Sequence, residues 1–346
     1  MKITSVAATA FREERGRSRA SCLVELQTDQ GLVGIAVGPH CVGARLEQAV
    51  HELLLGEDPR GVTGLWRRMI GARSKVGDTV LAAEVIAALD IALWDLKAKA
   101  NDEPLWKTLG GSRPRVNVHA GGCDRAASDD AVCEWFLTMA RGFGFRGGLL
   151  EVGTDAVADL RRLEMMQRAL SERSAEPALM IDAGGRWSPK EAVRRMREIE
   201  SRFDLTWVEQ PAARRDFLGL KRVSDGVRSA VCAGEGIESL LPHLHHHALD
   251  IVQVGTATRG ITGALQLADA AFGFELPVAL SDSPGNIHAH LGSVMPYCVS
   301  MEVVDPEPAA GVLSSDVRIE DGWAIAGDRA GHGLTIDRHA LAKAAT

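Results

Sequence analysis

Hydrophobic and polar positions alternate twice near the start of the chain: Cys22, Val24 and Leu26 before Asp29-Gln30-Gly31, and Leu32, Gly34 and Ala36 after it. A period of two on both sides of a turn triplet predicts a β-hairpin over residues 20–37. The apolar spacing then changes to three and four, which predicts helices over 41–55 and 62–70. From 79 to 100, Leu81, Val85, Ile86, Leu89, Leu93 and Leu96 keep helical spacing, with alanines at many places between them. A helix apolar on most of its circumference is expected to be buried. Strands followed by helices make residues 1–112 an α+β unit.

Beyond Leu109-Gly110-Gly111 the pattern becomes a repeat of strand then helix. Short apolar runs at 116–119, 147–152, 179–182, 205–209, 231–235, 250–254, 276–280 and 297–302 alternate with helical spacing. Alternation of this kind predicts a parallel sheet, and eight units predict closure into a barrel over 113–320. Residues 321–346 return to Gly-rich loops and short strands, expected to pack back on the first unit.

Three consecutive runs end in a carboxylate: Leu179-Met180-Ile181 into Asp182, Leu205-Thr206-Trp207-Val208 into Glu209, and Val231-Cys232-Ala233-Gly234 into Glu235. The acids stand 27 and 26 residues apart, close to the roughly 30 that one strand-plus-helix unit occupies when eight fill ~250 residues. The C-terminal ends of all strands in a parallel barrel open on one face, so these anions converge and repel unless a cation lies between them. Oxygen-only ligands at an open face favour Mg2+, one per chain. Each acid alone reads as a helix cap or a partner for a lysine; together, at barrel-unit spacing, they read as a metal site.

Composition narrows the class. A chain of 346 residues with 46% hydrophobic content buries a large core, and a net charge of −7 argues against nucleic-acid binding. Cys22, Cys41, Cys123, Cys133, Cys232 and Cys298 contain no CxxC pair, which suits reduced thiols in a cytoplasm. Met1-Lys2-Ile3-Thr4-Ser5 lacks a signal-peptide core, and no apolar run reaches the ~18 residues of a membrane span. A soluble cytoplasmic protein with no membrane or nucleic-acid partner is expected.

Seven motifs in order resemble the enolase superfamily, most closely its mandelate racemase and muconate lactonizing enzyme branches. They are Thr28-Asp29-Gln30-Gly31, Ile91-Ala92-Leu93-Trp94-Asp95-Leu96-Lys97, Leu109-Gly110-Gly111, Ile181-Asp182-Ala183, Trp207-Val208-Glu209-Gln210-Pro211, Ala233-Gly234-Glu235 and Arg259-Gly260-Ile261-Thr262-Gly263. The resemblance implies an α/β fold, a modified TIM barrel of the (β/α)7β type under an N-terminal α+β capping domain. It implies that Asp182, Glu209 and Glu235 bind one Mg2+, which holds a substrate carboxylate while a base removes the neighbouring α-proton. It also implies a homo-oligomer, dimer or octamer.

The departures bear on the reaction. Relatives end the second barrel strand with Lys-x-Lys, where this chain has Leu149 and Glu151. The racemase branch has a His-Asp dyad; its Asp position is Gly255, which also removes the lysine of the lactonizing branch, and its His position falls near Ser281-Asp282. Glu151 is then a candidate base, a water-mediated ligand, or a partner for an arginine such as Arg259. Asp282 reads as a second candidate base or as an Asx turn in its Pro-Gly loop. Glu302 matches a family acid that contacts the substrate carboxylate and acts as an electrophile when protonated. His119, at the end of the first strand and expected to face the mouth, His288 and Arg259 are candidate substrate contacts. His290 matches a common helix position of the family. Arg12, Arg15, Arg17 and Arg19 fall in a lid loop, with Arg17 a candidate clamp for an anionic, even di-acid, substrate; Arg67, Arg68, Arg73 and Lys75 precede a second loop. His243-Leu244-His245-His246-His247 reads as surface sequence, and Gly142-Phe143-Gly144 is no nucleotide loop because it follows a helix.

The expected activity is Mg2+-dependent enolisation of a small carboxylate, foremost a hydroxy-acid or sugar-acid dehydratase. Elimination needs one base, whereas racemisation needs two on opposite faces. A silent relative that keeps the metal site for binding, and a racemase, epimerase or cycloisomerase, stand as alternatives.

Overall fold

The computed structural model describes residues 1–12, 20–39, 43–72, 82–123, 125–307 and 311–345. Arg15, Arg17, Arg19, Arg73 and Lys75 lie outside these.

Strands β1 (Ile3–Arg12), β2 (Ala20–Thr28) and β3 (Val33–Pro39) form an antiparallel sheet in that order. Helices α1 (Gly43–Leu53), α2 (Val62–Ala72), α3 (Ala83–Ala100) and α4 (Leu105–Thr108) follow. As its apolar circumference requires, α3 is buried almost throughout, including Asp90 and Asp95. It lies so close to β3 that a Cβ on Gly34 would stand 2.2 Å from the Ala92 carbonyl oxygen, which only glycine permits.

The second unit is a closed parallel barrel. Its strands are β4 (Arg115–Ala120), β5 (Gly147–Glu151), β6 (Ala178–Asp182), β7 (Leu205–Glu209), β8 (Ala230–Ala233), β9 (Ile251–Val254), β10 (Val278–Leu280) and β11 (Cys298–Val303). Each pairs with the next, and β11 pairs with β4. The seven crossovers carry α5 (Asp129–Phe143), α6 (Ala156–Leu170), α7 (Pro189–Glu200), α8 (Phe217–Ser224), α9 (Leu241–His245), α10 (Gly260–Gly273) and α11 (His288–Gly292). This is the (β/α)7β barrel under an α+β domain that the sequence predicts. Side chains of Ser128, Asp155, Ser188 and Asp216 cap α5 to α8, fixing where each strand-end loop turns into helix.

Side chains alternate across each strand. Leu149, Met180, Trp207, Cys232, Ile251 and Ala279 pack together inside the barrel. Two residues further along five of these strands, Glu151, Asp182, Glu209, Gln253 and Ser281 face the same way at the mouth.

After β11 come β12 (Leu313–Ser314), β13 (Arg318–Glu320), β14 (Trp323–Ile325), β15 (Thr335–Ile336) and α12 (Arg338–Ala344). This tail serves both units. β14 pairs antiparallel with β4, while Arg338 pairs with Glu25 and Ala345 bridges Phe11.

Two buried carboxylates on α3 tie the units together. Asp90 accepts from the Thr262 N–H at 2.8 Å and the Thr262 hydroxyl at 2.6 Å, and Trp94 Nε1 donates to that hydroxyl at 2.9 Å. Asp95 accepts from the N–H groups of Ile35 and His332 and from Lys99 Nζ. His290 accepts from the Trp106 N–H at 3.2 Å.

Candidate active site

β5, β6 and β7 place their terminal acids side by side: Glu151 is the Cα partner of Asp182, and Asp182 of Glu209. The third expected ligand is not on a strand. β8 ends at Ala233, and Gly234 carries the chain across β9 so closely that a Cβ there would stand 2.1 Å from the Gln253 carbonyl oxygen. Glu235 follows, and its Oε1 lies 2.8 Å from where a Gly255 Cβ would be, with Ser281 Oγ 2.6 Å from the same point. The missing side chain at 255 thus leaves room that Glu235 and Ser281 share. Across the mouth, Glu302 lies over Gly121, 2.0 Å from its ideal Cβ position, and accepts from the Asp282 backbone N–H.

These acids sense one another. Burial, then the charge of Glu151, raises the Asp182 pKa, against the Gly184 N–H at 2.7 Å and the guanidinium groups of Arg186 and Arg214. Burial and the charges of Asp182, Glu302 and Glu235 push Glu209 well up, against a hydrogen bond from Gln253. Burial, Asp282, Glu235 and Asp182 raise Glu302 to about 8; the residue keeps some exposed surface, but its carboxyl is the part packed against Gly121. A divalent cation would relieve this mutual repulsion.

Among the described residues, no three His, Cys, Asp or Glu side chains already stand as a group able to hold a metal ion. What fits Mg2+ is the donor set: oxygen only and anionic, with Asp182 and Glu209 at adjacent strand ends, Glu235 two residues past the end of the next strand, and Glu209 held by one hydrogen bond.

The other sequence candidates divide. The arginine beside Glu151 is Arg186, at 3.7 Å, rather than Arg259, whose guanidinium donates to the Ile237 carbonyl. Asp282 joins the acid group through Glu302. His119 is 3% exposed, bonded to Ser300 Oγ at 2.8 Å and edge-on to Trp207, so its ring lies inside the barrel rather than open at the mouth. Burial lowers its pKa to about 3. His288 is also sealed and is lowered to about 4 by burial. Its Nδ1 bonds the Ser281 carbonyl at 2.7 Å and its Nε2 bonds Thr256 Oγ1 at 2.9 Å. A carbonyl only accepts, so the proton is on Nδ1 and Nε2 accepts from Thr256. His288 holds the loops after β9 and β10 together. His243 is buried and bonded to the Arg214 carbonyl, while His245 and His246 are exposed.

Three residues were not singled out from sequence. Arg186 donates to the carbonyls of Val152 and Ala183 beside Glu151, Arg214 donates to Gln210, and Gln253 donates to Glu209. Strand alternation, counted from Ile251, carried the signal for Gln253 alone.

Residues 10–110 match the model of the mandelate racemase / muconate lactonizing enzyme N-terminal domain, and residues 134–340 that of the enolase C-terminal domain-like family. The chain belongs to the enolase superfamily. Within this superfamily it is 28% identical over 336 residues to the L-talarate/galactarate dehydratase of Salmonella typhimurium, covering 93% of this chain and 81% of that protein. It is 28% identical to the 3,6-anhydro-alpha-L-galactonate cycloisomerase of Streptomyces coelicolor, over 93% of this chain and 90% of that one. The solved structure of L-talarate dehydratase from Polaromonas sp. JS666, complexed with Mg and L-glucarate, superposes with a TM-score of 0.83 at 26% identity, covering 100% of this chain and 97% of that one. These superfamily relatives are lyases and isomerases of sugar acids. No helix among the described residues is long and apolar enough to cross a membrane.

Proposed function

We propose that this enolase-superfamily member is a Mg2+-dependent sugar-acid dehydratase in which Asp182, Glu209 and Glu235 hold the ion. The observation that carries the reading is the in-register pair Asp182 and Glu209 with Glu235 beyond the next strand, each raising its neighbours' affinity for positive charge. A bound Mg2+ supplies Lewis-acid charge to a substrate carboxylate as the α-proton leaves. Glu151, with Arg186 beside it, takes that proton. Burial is the largest cause raising the Glu302 pKa, and in its protonated form Glu302 would donate a hydrogen bond to the substrate carboxylate or to the departing hydroxyl. Asp282 orders Glu302 through its N–H and is the second carboxylate able to move a proton.

The test is incubation with Mg2+ and a panel of mono- and di-acid sugars in D2O, read by NMR. Deuterium at the α-carbon or a 2-keto product is expected with at least one acid. Binding without exchange across the panel would replace the dehydratase with a ligand-binding relative. Exchange with inversion at the α-carbon would favour an epimerase.

A further inference from the structure

The buried amides beside the acids form a chain whose direction is fixed at both ends. Gln253 Nε2 donates to Glu209 Oε1 at 2.6 Å. Gln210 Nε2 donates to Gln253 Oε1 at 3.5 Å, and Arg214 Nε donates to Gln210 Oε1 at 2.8 Å. A carboxylate only accepts and a guanidinium only donates. Turning either amide over would therefore set two acceptors against each other at one of its ends and two donors at the other. The Glu235 N–H also donates to Gln253 Oε1, at 3.4 Å, so the same amide holds the carboxylate of Glu209 and the backbone of Glu235.

The backbone holds each link. Gln210 and Gln253 are 4% exposed. Gln210 has φ +45, and its N–H and carbonyl are bonded to Cys232 and Gly185. The Arg214 carbonyl accepts from His243 Nε2 at 2.8 Å. The guanidinium lies over Gly236, where a Cβ would come within 2.6 Å of Nη1. His243, with no evident role in the sequence, thereby anchors the residue that starts the chain.

We propose that Arg214 is a positioning residue for the metal site: through Gln210 and Gln253 it holds Oε1 of Glu209, presenting Oε2 to the cation and keeping Glu209 and Glu235 in one orientation. This rests on the reading that Glu209 and Glu235 bind Mg2+. Groups behind metal ligands matter in this way because they fix ligand orientation, and their loss typically weakens binding about 10- to 100-fold. Arg214 also acts on Asp182 as a charge through space, so the experiment must separate the two routes.

Mg2+ alone, without substrate, is titrated into metal-free protein by calorimetry. Gln253→Met is expected to weaken Mg2+ about 10- to 100-fold, and Arg214→Met, two hydrogen bonds more distant, about 3- to 10-fold. Arg214→Lys keeps a donor-only group and is expected to stay within about 3-fold of wild type. The Arg214→Met/Gln253→Met double variant should bind no more weakly than Gln253→Met, because the route is already broken. Penalties that multiply in the double variant, or wild-type affinity in Arg214→Met, overturn the proposal. Because Arg214 is exposed, its variants do not depend on core tolerance, and an unchanged metal-free melting temperature confirms the fold. Absence of Mg2+ binding by the wild type overturns the metal reading and this one together, whereas wild-type binding with unaffected variants overturns this one alone.

Discussion

Asp90 makes a pH-dependent prediction at the junction of the two units. α10 begins at Gly260, and its N-cap residue Arg259 makes no side-chain cap. The N–H of Thr262 is instead satisfied by a carboxylate 172 positions away on α3. Burial raises the Asp90 pKa from 3.8 to about 7, against hydrogen bonds from Thr262 and Ile261. A carboxyl whose folded pKa lies above its unfolded one binds more protons when folded, so stability falls as pH rises from the unfolded value through the folded one. The interval from about pH 5 to about pH 7 holds about 2 units, so wild type should lose about 3 kcal/mol there from this group. Asp90→Asn keeps one acceptor oxygen and cannot ionise. The difference in unfolding free energy, wild type minus Asp90→Asn, should therefore fall by about 3 kcal/mol between about pH 5 and about pH 8 and then level. Urea unfolding of both proteins in chelator measures it, and titrations common to the two cancel. A difference constant to within about 0.5 kcal/mol would show that the α10 N-terminus and the Thr262 donors stabilise the charge as well as water does.

Three further outcomes follow from the site. Mg2+ at about 100 times its dissociation constant should stabilise the protein by about 2.7 kcal/mol, seen as a rise in melting temperature that EDTA and Asp182→Ala both abolish. Gly234→Ala, whose Cβ would meet the Gln253 carbonyl oxygen at 2.1 Å, should displace Glu235 and remove that stabilisation while circular dichroism stays native. Glu151→Gln should slow α-deuteration by about 10²- to 10⁴-fold, with Asp282→Asn as the parallel test; full activity in both variants would reject carboxylate bases.

The barrel was legible because period-two and period-3.6 stretches alternate without long interruptions, and because acids recur at unit spacing. Contacts between distant segments left no local trace. Asp90 capping α10, Glu302 lying over Gly121 and Arg338 pairing with Glu25 each depend on residues that only the closed fold brings together. Orientation was lost for a related reason. His119 ends a strand, but its ring points inward to Ser300 and Trp207, and a sequence does not reveal how much of a strand end lies below the mouth. Glu235 was legible as an acid and misplaced as a strand residue, since Gly234 leaves the sheet to clear Gln253.

Among the described residues, the histidines of the barrel narrow the choice of base. A ring takes a proton from substrate only through a nitrogen that is uncommitted and reachable. His288 has both nitrogens bonded within the protein, and His119 is bonded to Ser300 and sealed against Trp207. Burial favours the neutral form of both, so protonating either would place a cation where water cannot solvate it. Gly255 and Ser281 carry no side chain that titrates near neutrality. Among the described residues this leaves the carboxylates as the proposed proton-transfer groups, and Glu151 is the one paired with Arg186, at 3.7 Å. A single base suits elimination better than racemisation, which needs a competent group on each face of the α-carbon.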